Sequence, residues 1–386
     1  MVRPSGSAKL LRAMNESAAL GHLLDGGSLT RNDLRELTGL SKPTTSEVLR
    51  RLTEAGLAVV TGHTSGGPGP NAEIYAVNPD AAYAVAVSVR DTPGSLRPAL
   101  AVAVSDLTGT TRARAELSVD LEGDALPAVI REAVGAQCAA AGVPVDRVRR
   151  VQLAVPGAYN PQTGGIHHVH VPGLGRPGLV GDLRRLLGVP VAVDNDVNLA
   201  AVAERRRGVA GTADSFVLLW FGQGLGLAID LGGTLLRGAS GGAGEIGYIA
   251  LGVAPDAGPR PDLHDLVGGP AVLALAKEYG VEADTPGQAV AQATPEMLAE
   301  LADRIAVGLA VVIAVLDPAL VVLAGEVGQA GGPALRDAVT AATAGSLNTR
   351  IAVTGLADDA VLLGALDAGI AEVREDLIRN LHQLTR

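Results

Sequence analysis

The chain has 386 residues, 47% of them apolar but only 2% aromatic, so two or three domains with aliphatic cores are expected. A single cysteine, Cys138, excludes an intramolecular disulfide and any cysteine-built zinc site. The formal net charge is −10, which makes the chain as a whole a poor binder of nucleic acid.

That charge is uneven. Residues 1–78 balance Arg3, Lys9, Arg12, Arg31, Arg35, Lys42, Arg50 and Arg51 against Glu16, Asp25, Asp33, Glu36, Glu47, Glu54 and Glu73, so the acidic excess lies in residues 79–386. Any nucleic-acid contact therefore belongs to the N-terminal segment. There, residues 7–24 have helical spacing, Thr30 is placed to cap a short helix with Leu34, Leu37 and Leu40 on its apolar face, and Ser41 caps a third with Pro43 in its first turn. Helix, glycine turn and helix, followed by strands at 57–60 and 72–77 around a Gly/Pro loop, read as a winged helix-turn-helix. The stretch GLSKPTTSEVLRRLTEAGLAVV resembles the DNA-reading unit of many bacterial repressors. Ser41, Lys42, Thr44, Thr45, Arg50 and Arg51 are the residues expected at double-stranded operator DNA. The wing, 63–70, has no Arg or Lys for a minor groove. The competing reading is a small helical protein-interaction domain.

Asn78-Pro79 marks a boundary, giving domains 1–78 and 79–386. From residue 81 apolar strands (84–89, 99–104, 150–154, 191–193, 216–221, 225–230, 319–323) alternate with helices (126–141, 179–187, 197–206, 271–279, 295–316, 360–379), the pattern of an α/β body. No apolar leader opens the chain. Its longest apolar run, 305–316, would span about 18 Å as a helix at about 1.5 Å per residue, against about 30 Å for a bilayer core. A buried helix and a cytoplasmic, nucleoid-associated protein are expected, with no membrane partner.

Glycines concentrate in 216–247. Gly222, Gly224 and Gly226 break two apolar runs into a hairpin whose amides suit an anionic group, and Glu245 sits in a second glycine loop. In order and spacing, Gln152 to Gly157, Val189 to Val191, Asp194-Asn195-Asp196-Val197-Asn198, the Gly-Gln-Gly-Leu-Gly hairpin and Arg237 to Gly247 resemble the ROK family of repressors and sugar kinases. The resemblance covers most of residues 81–373. It implies an actin-like body of two ribonuclease H-like lobes meeting near 194–196, with sugar and ATP between them.

The resemblance also assigns roles. Asp196 falls at the family's catalytic base, relevant only to an active kinase, and Asn195 beside it at a sugar ligand; both also suit a helix N-terminus. Glu245 matches the sugar-binding glutamate of a GEIGH motif, Pro156 and Gly157 border the same pocket, and His264 aligns with a further sugar-binding glutamate. The phosphate side is altered. Ser88 replaces the aspartate of the family's Asp-x-Gly-Gly-Thr turn, Arg90 follows it, Glu326 interrupts a Gly-Gly-Gly run, and Gln223 replaces a threonine. Gly222, Gly224 and Gly226 are then a vestigial phosphate loop, and Asp230-Leu231-Gly232-Gly233-Thr234 reads as a hairpin turn rather than a phosphate cradle. Tyr248 stands where the family has a zinc-binding histidine, and 252–264 lacks cysteine, so neither zinc nor ATP with magnesium is expected. His167, His168 and His170 read first as a polar strand edge, with a histidine metal site as the alternative.

These residues point to a sugar-responsive repressor, homodimer or dimer of dimers, on a palindromic site. The alternatives are an ATP-dependent sugar kinase fused to a DNA-binding domain, and a ligand-independent DNA-binding protein whose body only dimerises.

Overall fold

The structure is a computed structural model describing residues 6–64, 72–90, 100–119, 125–167, 171, 173–252, 260–344, 349–356 and 359–383. Its N-terminal unit comprises α1 (Gly6–Gly26), β1 (Leu29–Thr30), α2 (Arg31–Thr38), α3 (Lys42–Glu54), β2 (Ala58–His63) and β3 (Glu73–Val77), the strands ordered β1-β3-β2. Thr30 forms a capping box with Asp33, Gly39 ends α2 in the left-handed region at φ 67°, and Ser41 Oγ accepts from Thr44 N at 3.4 Å. Leu20, Leu23, Leu34, Val48, Leu49, Leu52 and Tyr75 close a core between the helices and the hairpin. Two expectations fail here. Leu37, on the last turn of α2, is 53% exposed, and Thr45 is buried on the core-facing side of α3 with Val48, Leu49 and Leu52, its hydroxyl donating to Ser41 O at 3.1 Å. Most of the wing, 65–71, lies outside the described residues.

A 3₁₀ turn, Pro79–Ala81, leads into β4 (Tyr83–Val89), β5 (Leu100–Asp106) and β6 (Thr111–Leu117), then α4 (Leu126–Ala140), β7 (Val148–Val155), the small pair β8 (Ala158–Tyr159) and β9 (Ile166–His167), α5 (Leu179–Leu187), β10 (Val191–Asn195) and α6 (Asp196–Arg207). A second set follows: β11 (Ser215–Phe221), β12 (Leu225–Leu231), β13 (Thr234–Leu235), α7 (Leu263–Val267), α8 (Gly269–Glu278), α9 (Pro286–Ala291), α10 (Pro295–Leu316), β14 (Leu320–Ala324), α11 (Gly325–Thr343), β15 (Arg350–Val353) and α12 (Ala360–Gln383). The two five-stranded sheets run β10-β7-β4-β5-β6 and β13-β12-β11-β14-β15. In each, the first three strands pair antiparallel and the last two add in parallel, so one topology occurs twice. That repeat is the actin-like arrangement.

Side-chain size explains the layering. In β4 and β5, Val85, Val87, Val102 and Val104 face a bulky cluster with α4 and α5, while Ala86, Ala101 and Ala103 face α12. Valine outward and alanine inward lets a helix approach the inter-lobe face closely, which suits a core with few aromatics. Gly364 makes the closest approach: a Cβ there would lie 1.7 Å from Leu199 O, so α12 crosses α6 backbone to backbone. Farther along, Ile370 and Val373 join the core of the N-terminal unit, and Ser17 Oγ donates to Ile378 O at 3.2 Å. One helix thus touches α6, the first sheet and α1. Helix α10 is buried on one face only, with Val307, Val311 and Val315 exposed on the other. Among the described residues no helix is long and apolar enough to cross a membrane.

Candidate functional site

The parallel strands β7 and β10 end side by side, with Val155 opposite Asn195. Beyond them the chain turns at Pro156-Gly157 and into α6, and a site forms where these ends meet the second lobe. Asn195 caps α6: its Oδ1 accepts from Val197 N at 2.8 Å and Asn198 N at 3.2 Å, and its Nδ2 donates to Gly157 O at 3.2 Å. Asp196 Oδ1 also accepts from Val197 N, at 2.8 Å. Pro156, Gly157, Asn195 and Asp196 are therefore brought together, with both Asn195 and Asp196 half-buried.

The loop carrying Glu245 is pinned from both lobes. Leu227 N donates to Gly244 O at 3.2 Å, tying it to β12. A Cβ at Gly241 would lie 2.0 Å from Tyr159 O, so this glycine, at φ 83°, lets the loop rest on β8 of the first lobe. Arg237 completes the tie: its Nε and Nη2 donate to Asp194 Oδ2 at 2.9 and 2.7 Å. Asp194 Oδ1 accepts in turn from Asn195 N at 2.9 Å and Asn198 Nδ2 at 3.1 Å. This buried carboxylate thus orients the Asn195 end of the pocket and holds the Glu245 loop by one ion pair. Neither Asp194 nor Arg237 stands out as a site residue in the sequence; a charged residue at the end of an apolar strand, beside Asn195-Asp196, is the only signal.

His264 reaches the same region. A Cβ at Gly247 would lie 2.0 Å from its ring, and the ring meets that of Tyr248 edge-on at 5.0 Å between centroids. Burial, then the charges of Glu245 and Asp262, hold the Tyr248 hydroxyl above the usual tyrosine range. An aromatic ring faces His264, and Cys138 is buried in the first-lobe core. No group of three or more His, Cys, Asp or Glu side chains among the described residues is arranged to hold a metal. His167 lies exposed on β9, whereas His168 and His170 fall outside the described residues.

On the other side of the cleft, Gly222 and Gly224 form the β11–β12 turn, and Gly226, within β12 opposite Trp220, is pressed on Val197 of α6, where a Cβ would come within 2.7 Å. Ser88 is buried in β4 between Ala101 and Ala154, so this position offers a hydroxyl rather than a carboxylate. Arg90 pairs with Glu116 at 3.5 Å and Asp359 at 3.9 Å, and residues 91–99 lie outside the described residues. Asp230 of the Asp-Leu-Gly-Gly-Thr stretch accepts from Gly233 N at 2.9 Å and pairs with Arg205 beneath the β12–β13 turn. It closes a hairpin.

At the N-terminal unit, Lys42 is exposed at the start of α3 and makes no ion pair among the described residues. Arg50 binds Glu47 and Glu54, and Arg51 binds Glu47 and Glu16. Hydrogen bonds from Arg50 and then Arg51 lower the Glu47 carboxyl to about 2. Both arginines would have to exchange these partners for phosphate on meeting DNA.

A winged helix-turn-helix set on two repeated lobes, with Asn195, Asp196 and the Glu245 loop where the lobes meet, defines a kinase-fold protein carrying an added helix-turn-helix module. The chain belongs to the ROK family, whose model matches residues 97–369, and its N-terminal unit matches the MarR family over residues 11–67. It is 22% identical over 404 aligned residues to the xylose repressor of Caldicellulosiruptor bescii, covering 95% of this chain and 98% of that protein. It is 35% identical over 190 residues to the bifunctional enzyme NanE/NanK of Brucella suis, covering 47% of this chain and 35% of the enzyme. Among solved structures it resembles a ROK family transcriptional regulator homologous to the E. coli MLC protein, with TM-score 0.72, 19% identity and 97% and 99% of the two chains covered. A ROK hexokinase from Thermus thermophilus follows the body alone, with TM-score 0.61, 25% identity, and 76% and 99% covered.

Proposed function

We propose that the protein is a transcriptional repressor whose kinase-like body senses a sugar or sugar derivative. Residues 1–78 read operator DNA through Ser41, Lys42, Thr44, Arg50 and Arg51, with Thr45 supporting from the core side of α3. Residues 79–386 bind the sugar through Asn195, Asp196, Glu245 and His264, over Pro156 and Gly157. The observation that carries the reading is α12, which packs on α6 directly behind the Asn195 cap and on α1 of the helix-turn-helix. A ligand that draws Glu245 toward Asn195 moves α6, and α12 passes that shift to the DNA-binding unit as a change in the population of operator-competent states. Full-length resemblance to a xylose repressor supports the same reading.

The protein works as a homodimer or dimer of dimers in the cytoplasm, since one short recognition helix holds a half-site weakly. It needs neither zinc nor ATP. A thermal-shift screen against neutral sugars and sugar phosphates tests the reading. Stabilisation by one of them, lost in Glu245→Ala, supports it, and stabilisation by none overturns it. ATP turnover on any hexose or amino sugar, abolished by Asp196→Asn, would establish a kinase instead.

A further inference from the structure

Glu326 is the second residue of α11, at the end of a helix where backbone amides favour an anion. It follows β14, which lies beside β11, so its carboxylate stands next to the Gly222–Gly224 turn. The Cβ position of Gly222 is 3.7 Å from Glu326 Oε1, and that of Gly287, at the start of α9, is 3.2 Å from Oε2. The carboxylate therefore fills the space between the Gly222–Gly224 turn and Gly287. No ion pair or side-chain hydrogen bond engages it among the described residues, so its charge is not neutralised by a cation. The turn has no room to retreat, because a Cβ at Gly269 would already meet Gly222 O at 2.9 Å and Gln223 Cα at 3.2 Å.

We infer that Glu326 is the residue that excludes nucleotide triphosphate from this cleft: the chain supplies its own anion where the phosphate would sit. The inference rests on the kinase-derived reading of the cleft, but not on any response of the DNA-binding unit. Charge and volume both contribute. The carboxylate repels a polyphosphate within a few ångströms and fills the gap between Gly222 and Gly287. Substituting Glu326 removes this anion from the second lobe and leaves Asn195 and Glu245 untouched.

The test is calorimetric titration of the full-length protein with MgATP and, separately, with adenosine. The parent, Glu326→Gln and Glu326→Gly are compared, and far-UV circular dichroism checks that each variant is folded. The expected result is that Glu326→Gly binds MgATP at least tenfold tighter than the parent. Glu326→Gln, which keeps the volume and removes the charge, falls between them, and adenosine shows little difference between the parent and Glu326→Gln. A parent that binds MgATP as tightly as Glu326→Gly overturns the inference, and so does a Glu326→Gly variant with no gain. A sugar-induced thermal shift measured on the same three proteins reports on the sensor reading independently.

Discussion

Asn195 combines a structural and a recognition role, and two substitutions separate them. In Asn195→Ala, α6 loses a cap worth about 1 kcal/mol rather than more, because Asp196 still accepts from Val197 N. The Nδ2 bond to Gly157 O is lost too, at about 1 kcal/mol net, for a total near 2 kcal/mol. Asn195→Asp keeps an equally good cap but removes the donor to Gly157, so it should cost about 1 kcal/mol. Both variants lack the side-chain amide nitrogen and should lose sugar response to the same extent. Urea denaturation followed by the fluorescence of Trp220, the only tryptophan, measures the stability ladder. Equal destabilisation in the two variants would refute the capping role of Asn195. A retained sugar response in either would remove it from the pocket.

Asp230→Ala should destabilise by roughly 3 kcal/mol, the lower end for breaking a buried pair, since Arg205 keeps the carbonyls of Ala210 and Ala213. Sugar response should survive in the folded fraction; its loss would reopen the Asp-Leu-Gly-Gly-Thr stretch as a ligand site. Lys42→Ala should weaken operator binding, by about 1–3 kcal/mol at one base position if a base edge is read, or uniformly with a salt slope reduced by about 1 if a phosphate is read. Unchanged affinity would displace Lys42 from the interface. Glu47 has its carboxyl lowered from 4.5 to about 2 by Arg50 and Arg51, so its pairing stabilises the fold above pH 4.5 and is lost as pH falls toward 2. The melting-temperature difference between the parent and Glu47→Gln should therefore shrink through that window; a pH-independent difference contradicts the pairing.

Much of the architecture is legible where one local rule dominates. Capping chemistry places α2 and α3 through Thr30 and Ser41, and alternating Val and Ala marks β4 and β5. Elements governed by tertiary contacts escape such reading. Strand β6 is an edge with charged residues on its exposed face, so its apolar signal is weak. The span 325–343 is two helical segments broken at Gly332, whose φ of 51° is non-helical and which precedes Pro333, and both segments pack into the second-lobe core. The candidate site divides in the same way. Asn195, Asp196 and Glu245 belong to recognisable motifs, whereas the Asp194–Arg237 pair joins residues 43 apart and appears only once the lobes meet. Leu37 shows the limit of helical spacing, since the last turn of α2 leaves it exposed, whereas Thr45 obeys that spacing and falls with Val48, Leu49 and Leu52 on the buried face of α3.

The measurement that bears most directly on the central claim is operator affinity, read by fluorescence anisotropy on a palindromic site at fixed salt, with and without the sugar that stabilises the protein. This sugar should change the affinity of the parent at least fivefold, whereas Glu245→Ala should bind the operator normally but no longer respond. A parent whose affinity is the same with and without the sugar, or a Glu245→Ala variant that still responds, would contradict that claim.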